Sequence, residues 1–195
     1  LIAALRAARS DLNLLVTSGT VTSAEVLAKR LPPDVVHQFA PVDAPGAAAR
    51  FLDHWRPGAA LFVESELWPN LIVAAKARGV KLALLSARMT QGSVQGWARA
   101  PATARALLQA FDLVLPQDAA TQARLQGLGA PTGPFLNLKL VSEAPPVDAK
   151  LAAGRKADGR RIVLASSTHP GEEPLIAQAF RAATAETSAL LIVAP

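Results

Sequence analysis

Short apolar runs alternate with amphipathic segments along the chain, and this alternation predicts strands and helices in turn. The clearest run is Ala59–Val63, which is followed by Glu64, Glu66 and a helix start at Pro69. Proline is tolerated in the first turn of a helix because the first amides have no intrahelical acceptor. Gly79 predicts the end of this helix.

The same pattern predicts seven further strands, at Leu12–Thr17, Val35–Phe39, Lys81–Ser86, Asp112–Pro116, Pro134–Leu138, Arg161–Ser166 and Leu190–Pro195. Helices are expected before and between these strands, at Leu1–Arg9, Ala47–Trp55, Ala104–Ala110, Ala119–Leu128 and Glu172–Ala185. One more helix is expected to run from a cap at Thr22 or Ser23 to Leu31. Strands that are apolar throughout and alternate with helices indicate a parallel sheet covered on both faces. The predicted fold class is therefore α/β, a Rossmann-like, doubly wound parallel sheet.

Two domains are expected. Residues 1–141 form a Rossmann-like domain, residues 142–160 a linker that begins with Ser-Glu-Ala-Pro-Pro, and residues 161–195 the start of a second Rossmann-like domain. The chain opens inside a helix and closes on a strand, so we expect it to be cut from a longer protein.

Composition narrows the class of protein only a little. Of the 195 residues, 51% are hydrophobic, which is enough for a sizeable core, and there is no Cys. The absence of Cys excludes disulfides and thiolate metal sites. No apolar run approaches the length of a membrane span, and no signal peptide is visible. The net charge of +5 favours anionic partners in general and does not choose among a phosphorylated lipid, a nucleotide sugar and nucleic acid.

Candidate chemistry follows the end of the central strand. Glu64, Glu66 and Trp68 lie where ligands bind in open α/β sheets, beyond the carboxyl end of a strand. The plainer alternative is that both carboxylates stabilise the helix N-terminus and that Trp68 packs against the core.

Two other loops offer polar groups. Ser18, Gly19 and Thr20 form a small-residue loop between a strand and a helix, which suits phosphate or sugar hydroxyls. Arg88 and Ser93 follow a later strand, and Arg88 is equally explained as a plain surface residue. His37 and His54 are expected to be structural or exposed, and Trp55 and Trp97 to be packing residues.

The chain resembles the 3-deoxy-D-manno-octulosonic acid (Kdo) transferases, which move Kdo from CMP-Kdo onto a lipid A precursor. The resemblance rests on several motifs that occur in the family's order: Thr17-Ser-Gly-Thr20, Glu64-Ser-Glu-Leu-Trp-Pro-Asn70, Leu85-Ser-Ala-Arg-Met-Thr90 with Ser93 and Trp97, Asn137-Leu-Lys139, and Ser167-Thr-His-Pro-Gly-Glu-Glu173. It implies a B-type glycosyltransferase fold, in which two Rossmann-like domains face each other across a cleft.

The resemblance also implies roles for individual residues. Glu64 would stabilise the transition state by supporting positive charge on the sugar. Lys139 would oppose the negative charge on the leaving phosphate or on the Kdo carboxylate, and Asn137 of the same segment would bind substrate. Family members usually have Gly where Leu136 stands and an acidic residue where Val141 stands, which puts the geometry of this loop in question.

On the second domain, the resemblance implies that Ser167, Thr168 and His169 line the nucleotide-sugar side. It implies a metal-independent, inverting enzyme with no cofactor and no nucleic-acid partner, acting on the cytoplasmic face of the bacterial inner membrane. Its partners would be CMP-Kdo, the lipid A precursor and the membrane surface. The family's general base is a glutamate expected before Leu1, and further nucleotide-binding loops are expected after Pro195, so residues 1–195 alone are expected to be inactive.

Two alternatives remain open. One is another nucleotide-sugar enzyme of the same fold, such as an epimerase, which would act without a lipid acceptor. The other is a non-catalytic, two-domain sugar-binding protein, which would bind a ligand without turnover.

Overall fold

The computed structural model describes residues 1–141, 147, 159–185 and 188–195. The chain folds into two compact units, Leu1–Ser142 and Glu143–Pro195. Each unit is mixed α/β, and the strand pairs in both are parallel. The predicted α/β class with parallel sheets is thereby confirmed. The linker expected over residues 142–160 lies almost entirely outside the described residues.

The first unit alternates helices with strands, as its apolar pattern predicts. Its strands are β1 (Leu15–Ser18), β2 (Val36–Phe39), β3 (Ala59–Val63), β4 (Lys81–Ala87) and β5 (Leu113–Pro116). Its helices are α1 (Ile2–Ala8), α2 (Val21–Arg30), α3 (Pro45–Trp55), α4 (Pro69–Ala77), α5 (Gln91–Trp97), α6 (Pro101–Gln109) and α7 (Ala119–Gly127). The second unit contains β6 (Arg161–Ser166), α8 (Glu172–Ala183) and β7 (Ala189–Ala194).

The strands of the first unit pair into two parallel sheets rather than one. Strand β1 pairs with β2, while β4 lies between β3 and β5. In the second sheet Ala59 is opposite Lys81 and Val63 is opposite Leu85, so β3 and β4 run in continuous register. Because these strands are parallel, their carboxyl ends meet at one edge, and the loops after β3 and β4 are neighbours.

The core of the first unit packs around the three-stranded sheet. Strand β4 supplies Leu82 and Leu84, each almost completely buried, and helix α4 supplies Ile72. Phe62 and Phe111 meet edge to face, with ring centroids 5.6 Å apart. Burying side chains of this size stabilises the unit by roughly 1.5–3 kcal/mol each, which fixes β3 and β4 as a rigid platform for the loops at their ends.

Three expectations for the first unit are wrong. Helix α2 begins at Val21 and its cap is Thr20, whose side chain accepts a hydrogen bond from the Ser23 amide, so the cap is neither Thr22 nor Ser23. Between β4 and the helix expected at Ala104–Ala110 the sequence predicts a polar connection without a helix, but this segment contains helix α5, which Thr90 caps.

Pro134–Leu138 does not form a strand. The amides of Gly133 and Leu136 donate to the carbonyls of Val114 and Pro116 on β5. These two amides are three residues apart whereas the carbonyls that they reach are two apart, so the even spacing of a parallel ladder is lost here.

Strand β6 of the second unit is more exposed than its sequence suggests. Arg161–Ser166 pairs in parallel with β7 along its whole length. Ile162 and Leu164 are nevertheless 51% and 62% exposed. The described residues of this unit provide one neighbouring strand and one helix, which leaves these apolar side chains largely uncovered.

Within the described part of the chain, every helix is too short or too polar to cross a lipid bilayer.

Candidate active site

Glu64 is fixed by its backbone at the point where β3 ends. Its amide donates to the Leu85 carbonyl at 3.0 Å, and its carbonyl accepts from the Arg88 amide at 3.2 Å. The Ser65 hydroxyl donates to the Arg88 carbonyl at 2.9 Å. Glu64 has a φ of 60°, in the left-handed region. This conformation costs a residue other than glycine about 1–3 kcal/mol and is concentrated at functional sites.

Asp43 anchors the far end of the loop that joins β3 to α4. It precedes α3 in the sequence, yet its carboxylate accepts from the backbone amides of Asn70 at 3.3 Å and Leu71 at 2.9 Å. The Asn70 side chain donates to the Asp43 carbonyl at 2.8 Å. Asp43 therefore satisfies the first amides of α4 from a distant part of the chain and occupies the position where an anion would otherwise bind.

Lys139 meets Glu64 directly. Its ammonium Nζ lies 3.0 Å from Glu64 Oε1. The Lys139 amide donates to the Asn137 side-chain oxygen at 3.0 Å, which closes a tight turn around the lysine. The neighbouring Leu138 amide donates to the Ser86 hydroxyl at 3.3 Å. The two residues predicted to be catalytic, which are far apart in sequence, thus form one ion pair.

The exposure of this ion pair indicates what it can do. The Lys139 side chain is 68% exposed and the Glu64 side chain 35% exposed. An ion pair in contact with water contributes only about 0–1 kcal/mol to stability. The pair lies at the edge of the sheet, where a carboxylate and an ammonium side by side can stabilise positive and negative charge developing on neighbouring atoms.

Glu66 and Trp68 contact each other. The Trp68 indole Nε1 donates to Glu66 Oε2 at 2.6 Å. Trp68 also packs partly against the core, whereas Glu66 is exposed. Trp68 therefore serves at least as a packing residue, and it holds the Glu66 carboxylate in place beside the end of β3.

The loop after β1 lies beside an open pocket of about 430 Å³. The Ser18 hydroxyl is 2.8 Å from His37 Nε2, so His37 on β2 orients the first residue of the loop. Thr20 caps α2, and Gly19 between them is exposed. Among the described residues, those lining the pocket are hydroxyl-bearing or aliphatic and carry no charge: Val16, Thr17, Ser18, Thr22, Ser23, Val26 and Leu27.

Arg88 and Ser93 follow β4. Arg88 is exposed and uses its backbone to hold Glu64 and Ser65. Ser93 is bound to the Thr90 cap of α5 through its amide at 3.2 Å, and the two hydroxyls are 2.9 Å apart. Arg124 on α7 donates to the Met89 carbonyl at 3.0 Å, which ties this loop to the core.

Ser167, Thr168 and His169 lie in the second unit. Ser167 follows β6 with a φ of 58°, in the left-handed region, as Glu64 does after β3. Thr168 donates to Glu173 Oε1 at 3.1 Å, and the His169 amide donates to Glu172 Oε2 at 2.8 Å. The two glutamates that open α8 therefore fold this loop back over the helix N-terminus.

Residues 1–141, 147, 159–185 and 188–195 hold no cluster of three or more His, Cys, Asp or Glu side chains that could bind a metal ion.

Sequence reasoning missed Asp43, Ser65 and Ser86, and it assigned His37 no role. Ser86 could have been noticed in the sequence, because a serine interrupts the otherwise aliphatic strand from Leu82 to Ala87. The sequence contains no signal for the role of Asp43, since an aspartate before a helix is expected to cap that helix and not another one.

Comparisons with known proteins bear on this site. Residues 1–141 match the sequence family described as 3-deoxy-D-manno-octulosonic-acid transferase (kdotransferase). A protein of Arabidopsis thaliana, "Probable 3-deoxy-D-manno-octulosonic acid transferase, mitochondrial", is 39% identical over 181 residues, covering 86% of this chain and 40% of its own length. The 3-deoxy-D-manno-octulosonic acid transferase of Rickettsia felis is 35% identical, covering 85% of this chain and 36% of its own length. That of Bordetella pertussis is 37% identical, covering 78% of this chain and 37% of its own length.

A solved structure, UDP-N-acetylglucosamine 2-epimerase from Rickettsia bellii, aligns with 92% of this chain and 53% of its own at a TM-score of 0.47 and 16% identity. The chain spans 36–40% of the length of the three transferases named above. The family match covers all of β1 to β5 and both Glu64 and Lys139. The chain belongs to the 3-deoxy-D-manno-octulosonic acid transferase family.

Proposed function

We propose that this chain forms the acceptor side of a glycosyltransferase that moves Kdo from CMP-Kdo onto the lipid A precursor. The observation that carries the proposal is the contact between Glu64 and Lys139, at 3.0 Å, inside the segment that matches the transferase family. Family membership supports the reaction class, and the ion pair supplies opposite charges at the edge where ligands bind in α/β sheets.

In this reaction an acceptor hydroxyl oxygen attacks the anomeric carbon of Kdo. The bond from that carbon to the CMP phosphate oxygen breaks, its electron pair leaves with CMP, and a general base takes the hydroxyl proton. Positive charge develops on the sugar and negative charge on the phosphate. We assign the first to the Glu64 carboxylate and the second to the Lys139 ammonium, with no metal ion in the step.

The pocket beside Ser18 and Thr20 suits a neutral part of the acceptor. Its hydroxyls can bind sugar oxygens and its aliphatic side chains can contact acyl carbons, while its lining lacks the Arg or Lys that a phosphate prefers, as far as the described residues go. Exposed Arg88 is the better candidate for an acceptor phosphate.

We infer that the protein works at a membrane surface, on the cytoplasmic face of the bacterial inner membrane. Val21, Phe39 and Val42 are 68%, 47% and 76% exposed, and they follow or end β1 and β2 at the carboxyl edge of that sheet. Apolar side chains at one edge support contact with acyl chains at a lipid interface.

The test uses the complete reading frame that contains this chain, incubated with CMP-Kdo and tetraacyl lipid A precursor. Mass spectrometry of the lipid is expected to show Kdo-sized increments, which also count the sugars added. Glu64→Ala and Lys139→Ala are expected to lower their rate of formation by about 100-fold or more, while Lys76→Ala is expected to keep it. Unchanged lipid from a folded wild-type protein, with CMP-Kdo intact, would refute the proposed function.

A further inference from the structure

Ser86 is a buried polar residue in an otherwise apolar strand. It lies in β4 and is 1% exposed. Its φ of 50° is in the left-handed region, which residues other than glycine seldom enter. The pairing of β4 with β5 shifts register between Leu84 and Ala87, so Ser86 sits at an irregularity of the kind that redirects side chains next to active sites.

Two consecutive residues of β4, Leu85 and Ser86, accept hydrogen bonds from the two backbone segments that carry the side chains of the ion pair. The Leu85 carbonyl accepts from the Glu64 amide at 3.0 Å. The next residue, Ser86, turns its hydroxyl oxygen toward the Leu138 amide at 3.3 Å. Leu138 directly precedes Lys139, whose Nζ contacts Glu64 Oε1 at 3.0 Å.

The segment that carries Lys139 needs such an anchor. It is not a strand, and its hydrogen bonds to β5 lack the even spacing of a parallel ladder. The Leu136 amide holds it to the Pro116 carbonyl at 2.9 Å, and the Asn137 side chain holds the Lys139 amide within the turn itself. The Ser86 hydroxyl connects this turn to the central strand.

We propose that Ser86 is a positioning residue that sets the distance between the Glu64 carboxylate and the Lys139 ammonium. Ser86 combines the left-handed backbone conformation with a hydroxyl that accepts a hydrogen bond from the Leu138 amide. The effect on turnover rests on the proposed function, whereas the connection from Ser86 to the Lys139 turn stands without it.

The experiment compares Ser86→Gly with the wild type in the complete reading frame. Glycine adopts the observed φ without strain, so this variant removes the hydroxyl and leaves the backbone free to keep its course. Amide exchange at Leu138, read by NMR, is expected to be about fivefold to tenfold faster, as the loss of one neutral hydrogen bond implies. The transferase kcat is expected to fall about 10-fold to 100-fold with little change in the acceptor KM.

Two further variants separate positioning from general stability. Thr121 is another buried polar side chain of the described residues, also 1% exposed, and it lies on α7. Thr121→Ala is expected to leave kcat and Leu138 exchange unchanged. In a Lys139→Met background, Ser86→Gly is expected to have no further effect on kcat, because both changes act through the same ammonium.

Wild-type exchange at Leu138 in Ser86→Gly would overturn the proposal, and so would an equal loss of kcat in the Lys139→Met background. If the wild-type protein transfers no Kdo, the proposed function fails, and the exchange measurement still decides whether Ser86 holds the Lys139 turn.

Discussion

Replacing Lys139 by methionine should separate catalysis from stability. The ion pair with Glu64 is short, at 3.0 Å, but the lysine side chain is 68% exposed and the glutamate 35%. Measured pairs of this kind contribute about 0.2–1 kcal/mol to folding. The variant should therefore unfold within about 4 °C of the wild type, because methionine keeps the unbranched apolar stem of lysine and lacks only the terminal ammonium group.

Turnover should respond far more strongly. A group that opposes charge developing in the transition state is worth about 10²–10³ in kcat when it is removed. Kdo transfer, measured by mass spectrometry of the lipid, should fall by about that factor in Lys139→Met and in Glu64→Gln.

Lys76→Met is the matched control. The Lys76 ammonium is also 3.0 Å from a carboxylate, that of Asp112, and the two side chains are 42% and 35% exposed. Lys76 lies on α4 and Asp112 directly precedes β5, so this ion pair is at the amino end of that strand and not at the carboxyl edge of the sheet. Its variant should lose as little stability as Lys139→Met and retain full turnover. A loss of less than tenfold in Lys139→Met, or an equal loss in Lys76→Met, would refute the assignment.

Three further predictions concern the supports of the site. Asp43→Ala should destabilise the protein by about 1–2 kcal/mol in chemical denaturation, since it removes the acceptor for the Asn70 and Leu71 amides. Asp43→Asn should recover most of this stability, and equal losses in both variants would contradict a capping role. Arg56→Gly should stabilise the protein by about 0.5–1 kcal/mol, because Arg56 ends α3 in the left-handed region with a φ of 43°; a lower melting temperature would argue against it. The Thr121 backbone amide lowers the pKa of Asp118, the cap of α7, below its usual range. Since the lowered pKa belongs to the folded state, the stabilising effect of this carboxylate is complete above the unfolded pKa, about 3.9, and is lost as the pH falls through the folded value. Asp118→Asn should flatten the acid limb of a melting-temperature profile, and an unchanged profile would exclude this cap as a cause.

Much of the fold was readable from the apolar pattern, because burial on both faces of a parallel strand leaves a continuous apolar run. The bounds of Ala59–Val63 and Arg161–Ser166 were predicted to the residue. The helix at Pro69 and its end near Gly79 also follow from local rules, since proline and glycine constrain the backbone whatever surrounds them.

The errors arise where a residue's partner is distant or where several caps are locally equivalent. Thr20, Thr22 and Ser23 are all acceptable N-caps by sequence, and only the path of β1 into α2 selects Thr20. Helix α5 was missed because Gly92 and Gly96 weaken its helical signal, although Thr90 caps it.

The sequence by itself determined which residue types stand at the ends of the strands, and the family resemblance drew attention to Glu64 and Lys139 among them. Only the tertiary structure decided that these two side chains touch, that Ser86 and Asp43 hold their loops, and that His37 orients Ser18. The physical reason is that strand and helix periodicity are local properties of the chain. Contacts between residues far apart in sequence depend instead on which strands pair and in what register, and a one-residue shift of register would send each side chain to the opposite face.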